Sequence, residues 1–127
     1  MTRWRLRKGA RGEQIAADYL KRLGYSIQER NYRCRQGEID IVAWNGAVLV
    51  FVEVRTRTGN DLGAPLESVN RRKQDKITSV AVVYVQEHQV RDTELRFDVV
   101  AVTWGPDGCP AVAHVPGAFD ASPRFLY

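Results

Sequence analysis

Apolar and polar residues alternate most regularly between Gly37 and Arg57, GEIDIVAWNGAVLVFVEVRTR. Asn45-Gly46 in the middle of this run is a strong hairpin signal, because a type I′ turn needs positive φ at both central residues. With those two residues as the turn, Trp44 faces Ala47, Asp40 faces Phe51 and Glu53 faces Glu38. Side chains alternate faces along a strand. Glu38, Asp40, Val42, Leu49, Phe51, Glu53 and Arg55 therefore share one side. Ile39, Ile41, Ala43, Val48, Val50, Val52 and Val54 share the other. Both sides are largely apolar, which predicts a central hairpin covered on both faces. One end nevertheless carries carboxylates. Asp40 is predicted diagonal to Glu53, ~7 Å away at the backbone, close enough for both to grip one metal ion. An uncompensated buried charge is strongly unfavourable, and a bound cation is the simplest compensation.

The flanking sequence predicts the rest of the fold. A first helix reads from Gly12 to Leu23 and stops at Gly24, with Ile15, Ala16, Tyr19, Leu20 and Leu23 as its apolar stripe. Glu13 projects from the edge of that stripe, and taken alone it is an ordinary first-turn acid. Ser26 to Cys34 reads as a strand feeding the hairpin through Arg35-Gln36-Gly37, with Arg30, Arg33 and Arg35 along a solvated edge. TGNDLGAPLE, from Thr58 to Glu67, is rich in turn formers and reads as irregular, either a flap over the charged end or a plain connector. A second helix, capped by Asn70 or beginning near Pro65, runs to about His88 with Ile77, Val80, Ala81 and Tyr84 inward. Stepping back by four from Ile77 and Val80 reaches Lys73 and Lys76. These lysines either face the hairpin's charges or snorkel to water. Glu94 to Trp104 is a fourth strand, predicted parallel to the third by the right-handed crossover rule. Asp98 inside it is expected to pair with an arginine. Ala111 to Val115 is a short last strand, and His88 and His114 stand isolated.

The 127 residues suit a single domain, residues 1–127, with a basic arm over 1–10 and an irregular tail over 117–127. The net charge of +4 makes an anionic partner plausible without requiring one. No apolar run approaches a membrane span and Met1-Thr2-Arg3 leads into no signal-peptide core, so a cytoplasmic protein is expected. Cys34 and Cys109 form no CxxC pair, and no histidine has zinc-like spacing, so both thiols are expected free.

The order is then helix, three antiparallel strands, helix, strand. Glu13, Asp40 and Glu53-Val54-Arg55 resemble the PD-(D/E)XK nuclease signature. More closely, GARGEQIAADYLKRLGY, RNYRCRQGEIDIVA, VLVFVEVRTR, VNRRKQDKI and RFDVVAV resemble the YraN-like family of bacterial proteins, itself similar to archaeal Holliday junction resolvases. The resemblance covers roughly residues 9–119. It implies a restriction-endonuclease-like α/β fold, an αβββαβ core with a mixed central sheet flanked by helices.

It also implies action on nucleic acid, most simply DNA, with a homodimer possible by analogy to the resolvases. In such a site Asp40, Glu53 and the carbonyl of Val54 would hold Mg²⁺ or Mn²⁺, hard cations that prefer oxygen ligands. Glu13 would orient the attacking water or help hold a metal. Lys73, Lys76 and Arg57 would contact phosphates. The signature's usual lysine is here Arg55, which has no acceptor atom and cannot serve as a base. Two functions follow: a metal-dependent endonuclease on structured or branched DNA, or a non-cleaving nucleic-acid-binding or protein-interaction module on a nuclease fold.

Overall fold

The computed structural model describes residues 3–59 and 65–121, with side chains from Gly9 onward apart from Leu66. Its elements are α1 (Arg3–Arg22), β1 (Ser26–Cys34), β2 (Gly37–Asn45), β3 (Val48–Thr58), a 3₁₀ turn (Pro65–Ser68), α2 (Arg71–Glu87), β4 (Leu95–Trp104) and β5 (Pro110–Phe119). The five strands form one sheet in the order β1-β2-β3-β4-β5. All neighbours are antiparallel except β3 and β4, which run parallel as the crossover through α2 requires. This is the αβββαβ core with a mixed sheet, the restriction-endonuclease-like arrangement.

Two apolar layers sandwich the sheet. On one face Ala16, Ala17 and Leu20 of α1 pack on Ile41, Ala43, Val50, Val52, Val100, Val102 and Trp104. On the other, Ile77, Val80, Ala81 and Tyr84 of α2 pack on Val42, Leu49, Phe51, Phe97 and Val99. The hairpin is thus covered on both sides, as its two apolar faces demand.

Several boundaries differ from expectation. The helix α1 begins at Arg3 rather than Gly12, so the segment read as an arm is helical from its third residue. Gly9 and Gly12 look like breakers in sequence, but Gly12 is a contact point. A Cβ there would lie 2.1 Å from Thr56 Cγ2 and 3.5 Å from Trp104, so α1 approaches β3 where only glycine fits. Arg11 beside it stacks over Trp104 at 5.8 Å. The helix closes as expected, with Tyr25 N–H donating to Leu20 O at 3.0 Å and Gly24 N–H to Lys21 O at 2.9 Å, a Schellman pair. Leu23 then turns outward, 52% exposed, and Ala17 takes its place in the stripe.

Gly12→Ala tests this contact. Helix propensity favours alanine by ~1 kcal/mol, but overpacking opposes it by roughly 1–3 kcal/mol. Net destabilisation is expected in urea unfolding, and Thr56→Ala in the same background should recover most of it. A Gly12→Ala protein as stable as wild type would refute the close approach.

At the C-terminal end, β5 runs to Phe119, four residues beyond the expected Val115. Phe119 stacks on Phe97 with ring centroids 4.8 Å apart, which holds the strand after an irregularity between Phe97 and Val99 in the ladder. The tail therefore starts later than residue 117, and residues 122–127 lie outside the described residues, as do residues 60–64 of the expected flap. What is described after them is a regular 3₁₀ turn over Pro65–Ser68. Asn70 caps α2, its side chain accepting from Lys73 N–H at 3.0 Å.

A candidate metal and phosphate site at a splayed hairpin

The hairpin turn is Gly46-Ala47, not Asn45-Gly46. Asn45 pairs with Val48, and positive φ occurs at Gly46 (60°) but not at Ala47. Glycine at the first central position alone is the pattern of a type II′ turn. Each pairing thereby slides: Trp44 faces Leu49, Val42 faces Phe51 and Ile41 faces Val52. The slide is even, so it preserves the faces of the ordinary pairs. It also moves Asp40 from a diagonal position to one directly across from Glu53, one step beyond the last pair.

The ladder between β2 and β3 ends at Ile41 and Val52, and Asp40 occupies the opening. Its Oδ2 accepts from the Val54 N–H at 2.7 Å, replacing the missing strand-to-strand bond. A strand residue's N–H and C=O point to the same edge, so the Val54 carbonyl faces this gap too. Asp40 also marks a reversal of faces. Ile39 packs with Val42 in the α2 layer, whereas Ile41 packs in the α1 layer. The alternation of the sequence therefore misplaces Ile39. Tyr32, opposite Ile39, turns with it and joins the α2 layer.

Glu53 and Asp40 interact directly across the gap. Burial pushes the Asp40 carboxyl up to about 8, the negative charge of Glu53 adds to it, and the Val54 hydrogen bond only partly offsets both. Burial also raises Glu53, against the lowering influence of Arg55, Lys73 and Asp40. Arg55 Nη1 lies 3.5 Å from Glu53 Oε1, a long contact. Burial likewise raises Glu13, countered first by Arg30. One of its oxygens, Oε1, is buried with no hydrogen-bond partner. Glu13 and Glu38 both add negative potential at Asp40. Glu38 is itself paired with Arg33 at 2.7 Å, and Arg30 donates to Gln14 at 2.9 Å.

The remaining sequence-derived residues separate into near and far. Lys73 is close enough to Glu53 to favour its charged form, and its Nζ is 3.5 Å from Ser68 O. The stem of Lys76 instead lies over Gly37, where an added Cβ would sit 3.0 Å from Lys76 Cε. Arg57 shares the face of Glu53 but stands four residues on, roughly 13 Å along the strand. Among the described residues no group of three or more His, Cys, Asp and Glu side chains is gathered tightly enough to hold a metal ion. The tight pair is Asp40 and Glu53, with Glu13 at a further remove. The donor set still fits Mg²⁺ or Mn²⁺, since Mg²⁺ is commonly held by one or two carboxylates and otherwise keeps water.

A second polar cluster was only partly foreseen. Asp98 is fully buried. It pairs with Arg96 as expected, accepting from Nε at 2.8 Å and Nη2 at 3.0 Å. It also accepts from His114 Nε2 at 2.8 Å, Gly117 N–H at 3.0 Å and Tyr25 Oη at 3.2 Å. Burial alone pushes its carboxyl up, but the bonds from His114, Arg96 and Gly117 outweigh it and hold the group down at about 2. His114 is therefore not isolated, and nothing in its sequence neighbourhood signals the partner. His88 closes α2, with its ring stacked on Tyr84 at 3.9 Å. Cys34 and Cys109 are free. No described helix is long and apolar enough to cross a membrane.

Residues 12–102, the span from the glycine beside Glu13 through most of β4, match the Uncharacterised protein family UPF0102. A UPF0102 protein of Syntrophus aciditrophicus is 48% identical over 104 residues, covering 82% of both chains. One from Geobacter metallireducens is 44% identical over 112 residues, 88% of this chain and 91% of its own. A third, from Anaeromyxobacter dehalogenans, is 46% identical over 116 residues, 91% and 86% of the two chains. With the acid pair and strands β1, β2 and β3 inside the matched span, this chain belongs to the UPF0102 (YraN-like) family.

Proposed function

We propose that the chain is a metal-dependent endonuclease acting in the cytoplasm on structured or branched DNA. The reading rests on Asp40 and Glu53, two carboxylates facing each other across a splayed hairpin. Burial raises both carboxyls, and the charge of Glu53 raises Asp40 further, so a cation between them relieves the conflict. Glu13, at a further remove, has a buried Oε1 without a hydrogen-bond partner, which supports it.

Asp40, Glu53 and the Val54 carbonyl would hold Mg²⁺ or Mn²⁺. When bound, such an ion supplies a water of lowered pKa and neutralises charge on the scissile phosphate. Glu13 accepts a hydrogen bond from the incoming water and orients it. Arg55, fixed in charge, donates to a phosphate oxygen and cannot remove a proton. Its long contact with Glu53 leaves donors to spare. Lys73 adds positive charge from α2 where negative charge develops on the phosphate. Lys76 and Arg57, which lie farther away, contact flanking phosphates.

Mn²⁺ at millimolar concentration is expected to raise the melting temperature of wild type and leave Asp40→Asn unmoved, because selective binding to the folded state stabilises it. Junction, flap and single-stranded DNA, incubated with Mg²⁺ or Mn²⁺, should then reveal cleavage that Glu53→Gln abolishes. Cleavage surviving Glu53→Gln would remove the assignment of this site. A metal-induced shift with no cleavage of any substrate would favour the non-cleaving binding module, for which Arg55 in place of lysine is the supporting feature.

A further inference from the structure

Asn31 sits in β1 with φ of 55°, left-handed backbone inside a strand. Non-glycine residues adopt that region rarely, asparagine more readily than most. Its place in the ladder is informative. Arg30 pairs with Ile41 and Tyr32 with Ile39, so Asn31 and Asp40 form the skipped pair between them. The faces reverse at this pair on both strands. Arg30 reaches Gln14 on α1, whereas Tyr32 donates to Glu87 on α2 at 2.8 Å. Positions two apart in a regular strand share a face, so β1 rolls over at Asn31 as β2 does at Asp40. Asp40 lies at this roll, and its carboxylate accepts from the Val54 N–H at 2.7 Å. Asn31 also favours the charged form of Glu13.

We propose that Asn31 is a positioning residue for the acid site: its left-handed backbone turns the β1–β2 pair over, setting Asp40 against Val54 and Glu53. Strain retained in a strand fits such a role. A mere irregularity of an edge strand would not need the matching reversal on β2. The functional consequence rests on the metal-site reading above. The structural claim does not.

Two variants and two measurements separate these. Asn31→Gly keeps access to positive φ, whereas Asn31→Ala strains it and should lower the melting temperature by roughly 3–8 °C. Hydrogen exchange of the Val54 amide, followed by NMR well below melting, reads the Asp40 bond directly. It should be at least ~10-fold faster in Asn31→Ala and within ~3-fold of wild type in Asn31→Gly, an opening of ~1.4 kcal/mol or more in the first. The Leu49 amide, bonded to Glu94 O at 2.9 Å in the same strand, should hold its rate in Asn31→Gly and in Asn31→Ala speed up clearly less than Val54, by no more than the global loss of stability gives. Mn²⁺ affinity should fall about 10-fold or more in Asn31→Ala and be largely kept in Asn31→Gly, as for residues that orient metal ligands. Unchanged Val54 exchange in Asn31→Ala overturns the proposal. Wild type that binds no Mn²⁺ overturns the metal site instead, and the Val54 amide still decides the role of Asn31.

Discussion

Asp98→Ala is expected to destabilise the fold by roughly 3–5 kcal/mol, the range for removing one partner of a buried ion pair. The loss is large because five donors converge on one fully buried carboxylate: two from Arg96, and one each from His114, Tyr25 and the Gly117 backbone. Truncation leaves a guanidinium, an imidazole N–H and a backbone N–H without their acceptor, and each is costly to strand away from water. The cluster also ties β5 to β4 and to the residue that follows α1, so the loss should extend beyond one side chain. Its pH signature is distinct. The network holds the folded carboxyl down at about 2, below its ordinary 3.8, so its contribution is complete above pH ~4 and disappears as pH falls through 2. In urea titrations from pH 7 to pH 2 the gap between wild type and Asp98→Ala should narrow by roughly 2 kcal/mol toward the acid end. A variant within 1 kcal/mol of wild type at pH 7 would mean that the network is energetically idle.

The opposite sign is expected at Asp40. Its folded carboxyl is raised from 3.8 to about 8, so the metal-free fold holds a proton there that the unfolded chain releases. That contribution is complete below pH ~4 and is lost progressively as pH rises through 8. Asp40→Asn keeps an oxygen for the Val54 N–H and has no charge to bury. In chelator-treated protein the variant should therefore exceed wild type in stability by roughly 2–4 kcal/mol at pH 9, allowing for solvent relaxation around the partly exposed pair, and should match it at pH 4. Glu13, Glu38 and Glu53 oppose ionisation at Asp40 in wild type, and Arg55 and Lys73 act on Glu53. Melting curves at pH 4, 6 and 9 decide the matter: a wild-type melting temperature that did not decline toward pH 9, relative to the variant, would remove the electrostatic conflict. Adding Mn²⁺ should reverse the order, because only wild type gains.

The two carboxylates were legible because each interrupts an otherwise apolar pattern, and β-periodicity places them at the same end of the hairpin. Their mutual geometry was not. It depends on which two residues make the turn, and Asn45-Gly46 and Gly46-Ala47 are both sound choices on turn chemistry alone. The turn fixes the register, and only the register decides whether Asp40 is diagonal or directly opposite. The face reversal was hidden for a different reason. An alternating pattern assumes continuous pleating, and Ile39 is apolar on either side of the sheet. Asn31 was the one available signal, a residue tolerant of left-handed backbone set between Arg30 and Tyr32. For α1, the basic run before Gly12 reads as an arm, and the contact with Thr56 that uses Gly12 joins positions 44 residues apart. His114 illustrates the limit most plainly: its partner Asp98 is one strand away, and the bulge that aligns them has no local mark.

The outermost strands carry a consequence of their own. β1 is interrupted between Ile27 and Glu29 and again at Asn31. β5 carries Pro110, Pro116 and a left-handed Gly117 with φ of 59°. A straight, uninterrupted margin invites another polypeptide to extend the sheet, the first step of fibre growth. Here both margins are broken and each lacks a full run of backbone donors and acceptors. Copies of this chain are thus discouraged from joining edge to edge, and the sheet is guarded at both sides by its own backbone breaks.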